Sequence, residues 1–282
     1  MAQETSPASN REAVVRYYNA AEKGYWGDLG GVCHYGFSPV DHDGPFDMAS
    51  AQIEMERILG RTLDLPPGST VLDAGCGYGP VARTLVKEFG HEVTGIDLLP
   101  NRLRSSPGIN RDIDVSPINL VNADYHDLPF PDESFDGVYT METLVHADHH
   151  ELVLSEFLRV LRPGGRVVLF EYSIPELDSI PTPARDLAER VIKNTGMASL
   201  PYFTHGSFPG ILEKAGFENA QSVDISRNVY PSWFHLWTLA LKTTLVEFSH
   251  GRVNLDNVPG SIWVWPARHK LGYYISQANK PV

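Results

Sequence analysis

Disulfides do not organise this chain, because its 282 residues include only two cysteines, Cys33 and Cys76. Two thiols imply no covalent framework and fit a reducing, cytoplasmic compartment. Positive charge is scarce as well: Lys and Arg number 23 against 35 Asp and Glu, a formal net charge of −12. Nucleic acid binding needs a basic stripe, so a polyanionic partner is set aside and the acidity reads as solubility. No apolar run approaches the ~20 residues of a membrane span. The opening "MAQETSPASN" has no apolar signal core. Internal repeats and low-complexity tracts are missing too. What is present is a globular composition, 42% hydrophobic and 21% charged, long enough for one large domain with an added cap.

The pattern along the chain alternates. Residues 1–9 read as a frayed tail. A helix capped by Asn10 is expected through Lys23, with Val14, Val15, Tyr18 and Ala21 on one side. A folded loop rich in Gly, Pro and aromatics follows, then a helix "DMASAQIEMERILG" expected to stop at Gly60. From residue 70 strand-like runs ("TVLDA", "EVTGID", "INLVNAD", "FDGVYTM", "GRVVLFEY") alternate with helical ones. Strand, helix, strand, repeated, predicts an α/β fold: a Rossmann-like, doubly wound, mostly parallel seven-stranded sheet with helices on both faces. The division expected is a tail and helical cap over 1–60, then an α/β domain over 61–282 with a helical insertion at about 231–250.

The chemistry concentrates at "DAGCGYGP", residues 73–80, at the carboxyl end of the first strand. Such ends bind ligands in parallel sheets, and glycine lets a ligand approach the backbone closely. A dinucleotide fingerprint needs Gly-x-Gly-x-x-Gly, but here Gly79 falls one residue early and Pro80 stands in the third place. Asp73 adds a negative charge that repels pyrophosphate and favours an ammonium or sulfonium group.

"VLDAGCGYG" resembles the first motif of class I S-adenosylmethionine-dependent methyltransferases. "GID" with Asp97, "NADYHDLPFPDESFDGVYTMETLVH" and "LRPGGRVVLFEY" follow in the order of that family, over residues 70–225. Within it the chain is most similar to the sterol 24-C-methyltransferase-like and small-molecule, natural-product group. "YYNAAEKGYWGDLGGVCHYGF" resembles its N-terminal segment, and Glu142 and His146 fall in matching places after the fourth strand. The resemblance implies S-adenosyl-L-methionine as cofactor and S-adenosyl-L-homocysteine as product. Gly75 and Gly77 would pass against the methionine part, which Asp73 orients. Asp97 would accept hydrogen bonds from the ribose hydroxyls, and Leu98 would pack on adenine. Asp124 would accept from the adenine amino group with Tyr125 beside it, and Thr140 and Met141 would place carbonyls near the ammonium. The plainer alternatives are that Asp97 and Asp124 cap loops and that Tyr125 and Met141 pack in the core.

A sulfonium methyl is already electrophilic, so the protein must align an acceptor, exclude water and handle a proton. Glu142 and His146, four residues apart, are the expected catalytic pair if a helical turn starts there. Structural roles, a loop cap for Glu142 and packing for His146, stand beside that reading. His34 and Tyr35 are expected at the substrate, or simply in loop packing. "HADHHE" holds His146 and His150 at a metal-ligand spacing, but Asp148 and Glu151 also form a capping box, so no metal is expected. The insertion "YPSWFHLWTLALKTTLVEFSHG" reads as an apolar helix. It roofs an acceptor with Trp233 and Trp237, joins a homodimer, or touches a membrane surface, in that order of preference. The expected acceptor is a small, largely apolar molecule: a sterol, terpenoid, polyketide or other secondary metabolite. The expected enzyme transfers a methyl group; a ring-forming reaction on the same frame, or a non-catalytic binding role, are the alternatives.

Overall fold

The computed structural model describes residues 10–20, 31–104, 118–249 and 261–282. The expected tail at 1–9, the end of the first helix (Ala21 to Lys23), and the side chains of Val246 and Phe248 lie outside the described residues. Seven strands form one sheet: β1 (Thr70–Ala74), β2 (Glu92–Asp97), β3 (Asn119–Asn122), β4 (Phe135–Met141), β5 (Leu161–Ser173), β6 (Glu218–Asp224) and β7 (Gly272–Asn279). Their order is β3-β2-β1-β4-β5-β7-β6, and only the pairs made by β7 are antiparallel. The Rossmann-like, mostly parallel, seven-stranded sheet is therefore as expected.

Both faces of the sheet are covered, and the sequence shows why. Alternate residues of each central strand feed two separate apolar cores. Leu72, Ala74, Val138, Val167 and Leu169 meet helices α5 (His150–Val160) and α7 (Phe208–Lys214) through Leu154, Phe157, Phe208 and Leu212. Val71, Val93, Tyr139, Val168 and Phe170 meet α2 (Met48–Leu63) and α3 (Pro80–Thr84, continued by a π-helical turn Leu85–Phe89) through Met55, Leu59, Leu63, Val81 and Leu85. The chain winds outward from β1 to β3, then returns to β4 on the other side of β1. That reversal opens a crevice beyond the carboxyl ends of β1, β2 and β4.

Three local expectations change. The helix expected to stop at Gly60 runs on to Leu63 and ends at Asp64, whose φ is 49°. Gly60 instead accommodates a neighbour, since a Cβ there would lie 2.3 Å from the Phe89 ring. A division of the chain between 60 and 61 therefore cuts through α2, which packs on one face of the sheet. The capping box at Asp148 does not form: α5 begins at His150, after His149, with no side-chain cap. Finally, the helix over residues 10–20 (α1) is present, but Asn10 donates its side-chain amide to the His146 carbonyl at 3.0 Å, tying α1 to the end of β4.

Two further helices complete the frame, α6 (Thr182–Thr195) and the long α8 (Ser226–Ser249), the expected insertion, which begins five residues early and packs on α9 (Ser261–Ala267). A short α4 (Pro100–Arg104) follows β2. Among the described residues no helix is long and apolar enough to cross a membrane.

Candidate active site

A cavity of about 1050 Å³, counted out to its mouth, occupies the crevice. Its floor is the bend after β1. The Gly75 and Cys76 amides both donate to the Ile96 carbonyl (2.9 and 2.8 Å), which turns the chain sharply across the end of β2. Gly75 has φ 97°, and a Cβ on it would sit 2.5 Å from Thr143 Cγ2. Thr143 in turn donates its hydroxyl to the Ala74 carbonyl at 2.7 Å, so bend and β4 loop are locked together. Gly77 serves a different purpose. The nearest atom to its absent Cβ is Arg102 Nη1 at 3.8 Å, so its backbone is bare toward the cavity.

The expected cofactor residues converge on this space. Asp73, Gly75, Gly77, Asp97, Leu98, Asp124, Tyr125 and Met141 all line it; Thr140 does not, because its hydroxyl donates to Glu171 at 3.0 Å. Asp97 accepts the Gly77 amide on Oδ2 (2.9 Å) and the Leu99 amide on Oδ1 (2.8 Å), which leaves a lone pair on each oxygen. The loop-capping reading of Asp97 is thus met, and it fixes the carboxylate at the cavity wall. Asp73 Oδ2 is buried with no partner, and burial pushes this carboxyl up to about 7. Burial also works to raise Asp124. The His126 side chain (2.6 Å) and amide (3.0 Å) outweigh it, so Asp124 lies below the ordinary carboxylate range. Tyr125 donates its hydroxyl to the Thr143 carbonyl at 3.1 Å.

Glu142 and His146 both line the cavity, but not from one helical face. Glu142 has φ 60°, which breaks any helix at that point, and only Leu144–His146 form a short 3₁₀ turn. Glu142 is buried and accepts from three donors: the Tyr35 amide (2.7 Å), the Tyr273 hydroxyl (2.8 Å) and the Tyr172 hydroxyl. Burial raises its pKa, opposed by His34 and by these donors. His146 is buried too, and burial drives it down to about 4, so the imidazole is neutral near pH 7. Its Nδ1 lies 3.2 Å from the Gly196 carbonyl, which can only accept; Nδ1 therefore carries the proton. Nε2 is then the acceptor for the Tyr18 hydroxyl at 2.9 Å. His34 lines the cavity, with Nε2 3.4 Å from the buried Glu56. Tyr35 stands behind the wall, its ring packed edge-on against Tyr172 and Trp233.

The two tryptophans expected at the substrate are elsewhere. Trp233 is fully enclosed in the core between α8 and the sheet, and Trp237 packs on Phe234; neither lines the cavity. The apolar face of α8 is spent on the sheet and on α9, while Phe234 and Leu245 remain exposed. His146 and His150 also diverge. His150 turns to Ser199, and among the described residues no group of three metal-ligating side chains occurs.

Sequence reasoning missed two charged residues here. Glu171, in β5, is wholly buried and accepts the Thr143 and Leu144 amides (3.1 and 2.7 Å) and the Val145 amide. It thereby holds the turn that carries Glu142 and His146, although burial pushes it up to about 8. Arg102, in α4, is a buried cation on the cavity wall. Only the acid amid apolar residues in "LFEY" hinted at Glu171; in "PNRLR" Arg102 stands beside Asn101 and Arg104 with nothing to mark it.

The comparisons with known proteins agree with this geometry. The Methyltransferase domain family matches residues 72–169. An S-adenosyl-L-methionine-dependent Diels-Alderase of Talaromyces variabilis is 35% identical over 237 residues, 80% of this chain and 80% of that protein. A sterol 24-C-methyltransferase of Gibberella zeae is 32% identical over 216 residues, 75% of this chain and 54% of that protein. In fold, the cyclopropane synthase MmaA2 of Mycobacterium tuberculosis matches with a TM-score of 0.77 at 14% identity, covering 99% of this chain and 100% of that one. The chain belongs to the class I S-adenosylmethionine-dependent methyltransferases. Within that family its relatives include a sterol methyltransferase, in line with the resemblance of its motifs, and S-adenosyl-L-methionine is its cofactor.

Proposed function

We propose that this enzyme transfers a methyl group to a small, largely apolar acceptor held against Glu142 and His146. The observation that carries the reading is a single cavity with the bare Gly77 backbone, Asp73 and Asp97 on one wall and the neutral His146 on another. The residues fit the cofactor: an unpartnered buried Asp73 oxygen suits a cationic head, and Asp97 keeps two lone pairs for vicinal hydroxyls. When bound, S-adenosyl-L-methionine supplies a methyl group on a cationic sulfur. Asp124 would accept from the adenine amino group, Leu98 would cover the ring, and the Gly75–Gly77 backbone would carry the methionine part. Glu142, with three donors already engaged, is a fixed acceptor rather than a mobile base. His146 Nε2 takes the proton released by a hydroxyl or amine acceptor, directly or through the Tyr18 hydroxyl.

The test is mass spectrometry of sterol, terpenoid and polyketide acceptors incubated with the protein and cofactor. Gain of one methyl by the acceptor, with release of S-adenosyl-L-homocysteine, is expected. His146→Ala should lower turnover at least about 100-fold, in the range of a lost general base, while calorimetry shows cofactor affinity nearly unchanged. Equal loss of both makes His146 structural. A second reading is favoured by the 35% identity to a Diels-Alderase: ring closure on a polyene with the cofactor as a bound cation. It predicts a product isomeric with its substrate and no S-adenosyl-L-homocysteine.

A further inference from the structure

Arg102 is the least explained charge in the molecule. It is 4% exposed, and its Nη2 is buried without a hydrogen-bond partner. No carboxylate among the described residues lies within ion-pair distance of it; Asp97, whose charge acts on it, gives its bonds to the Gly77 and Leu99 amides. Burying a guanidinium half-satisfied costs free energy unless an anion arrives to complete it. The surroundings say where that anion sits. Arg102 lines the cavity, and its Nη1 is the atom nearest to the absent Gly77 Cβ, at 3.8 Å. It lies beside the backbone assigned to the methionine part. The other cavity walls present Asp73, Asp97 and Glu142, which suit the cofactor's sulfonium, ammonium and hydroxyls and repel its one anion. Arg11, the other arginine on the wall, is exposed.

The guanidinium also touches the N-terminal helix. It stacks over the Tyr18 ring at 4.5 Å and reaches the Tyr78 ring at 5.4 Å, with Cys33 Sγ 3.9 Å from Nη1. Tyr18 belongs to α1 and bonds His146, while Asn10 in the same helix bonds the His146 carbonyl. One arginine thus joins the cofactor's seat to the helix that completes the acceptor side.

We propose that Arg102 binds the carboxylate of S-adenosyl-L-methionine and, through its stacking on Tyr18, couples cofactor occupancy to the docking of α1. The proposal rests on the cofactor assignment above. A carboxylate engaging Nη2 fixes the guanidinium plane, and a fixed plane holds the Tyr18 ring more tightly. Coupling of this kind is reciprocal: a docked α1 tightens the cofactor, and the cofactor steadies α1.

The experiment compares S-adenosyl-L-methionine with its decarboxylated analogue, which lacks only that carboxylate, by titration calorimetry of the full chain. Wild type should prefer the intact cofactor by about 10- to 100-fold, the range of a charge-assisted pair. Arg102→Met, which keeps the apolar stem, should bind the two alike, and Arg102→Lys should restore part of the preference. Amide hydrogen exchange over residues 10–20 gives the second readout. The intact cofactor should slow it in wild type, but not in Arg102→Met or in Tyr18→Leu, and Tyr18→Leu should keep the carboxylate preference. An Arg102→Met protein that loses the same factor for both ligands, or for neither, overturns the proposal while the cofactor assignment stands. A folded wild type that binds neither ligand overturns both. Unchanged exchange over 10–20 in wild type overturns the coupling.

Discussion

Gly75 and Glu171 hold the same turn from opposite sides, one by having no side chain and the other by burying a carboxyl that accepts the turn's amides. A methyl at 75 would need to share space with Thr143 at 2.5 Å, on a backbone with φ 97°. Gly75→Ala should therefore cost about 1–3 kcal/mol of stability through overpacking and strain. Because the Thr143 loop must move, S-adenosyl-L-homocysteine should also bind more weakly. Denaturant unfolding and calorimetry read the two effects, and an unchanged affinity would mean that the bend does not shape the seat. At this scale the sequence was legible where a residue's reason is local. Gly75, Gly77 and Asp97 are marked by a bend and a strand end that the chain itself makes. Arg102 and Glu171 were not, because their reasons are partners far along the chain: Tyr18 and Cys33 for one, Thr143 to Val145 for the other. Trp233 misled for the same cause. Its aromatic bulk suits a pocket and a core equally, and only the packing of α8 on the sheet decides for the core.

Among the elements, α2 shows how tertiary contact overrides propensity. Glycine within a helix costs about 1 kcal/mol relative to alanine, so Gly60 read as a stop. The structure keeps it inside the helix because the Phe89 ring occupies the place of a side chain. Gly60→Ala should consequently destabilise, by about 1 kcal/mol net, since overpacking of about 1–3 kcal/mol exceeds the propensity gain. Phe89→Leu in the same chain should recover part of the loss. A higher melting temperature for Gly60→Ala alone would show that the ring simply moves aside. Strands and long helices were legible from period alone, since every central strand feeds both cores. The turn at 142–149 was not. Its acidic residues mimic a helix start, but Glu142 at φ 60° and the amides taken up by Glu171 end that possibility before α5 begins.

For the whole molecule, buried ionisable groups set the response to pH. Asp73 is raised from 3.8 to about 7 and Glu171 from 4.5 to about 8. The folded state therefore keeps protons that the unfolded chain has lost, and stability falls as pH rises through these values. His146 works in the opposite sense. Its pKa is lowered from 6.5 to about 4, so its contribution grows as pH rises between those limits and is complete above the upper one. His91 and His150 shift in the same direction. The two trends oppose each other in acid. Above about pH 7 Glu171 goes on lowering stability, and so does His34: burial works to lower its pKa, but Glu56 outweighs this and raises it. The cofactor-free protein should melt progressively lower from about pH 6.5 to about pH 8, and Glu171→Gln should flatten that fall. A melting temperature that is level across this range would place both carboxyls in their ionised form.

The position of β7 has a consequence for biosynthesis. This strand is translated after the other six, yet it lies between β5 and β6 and brings the Tyr273 hydroxyl to Glu142. A nascent chain emerging from the ribosome as far as β6 lacks the strand that joins β5 to β6 and the hydroxyl that Glu142 accepts from Tyr273. Pairing along β5 and the full set of donors to Glu142 therefore depend on one late-made strand.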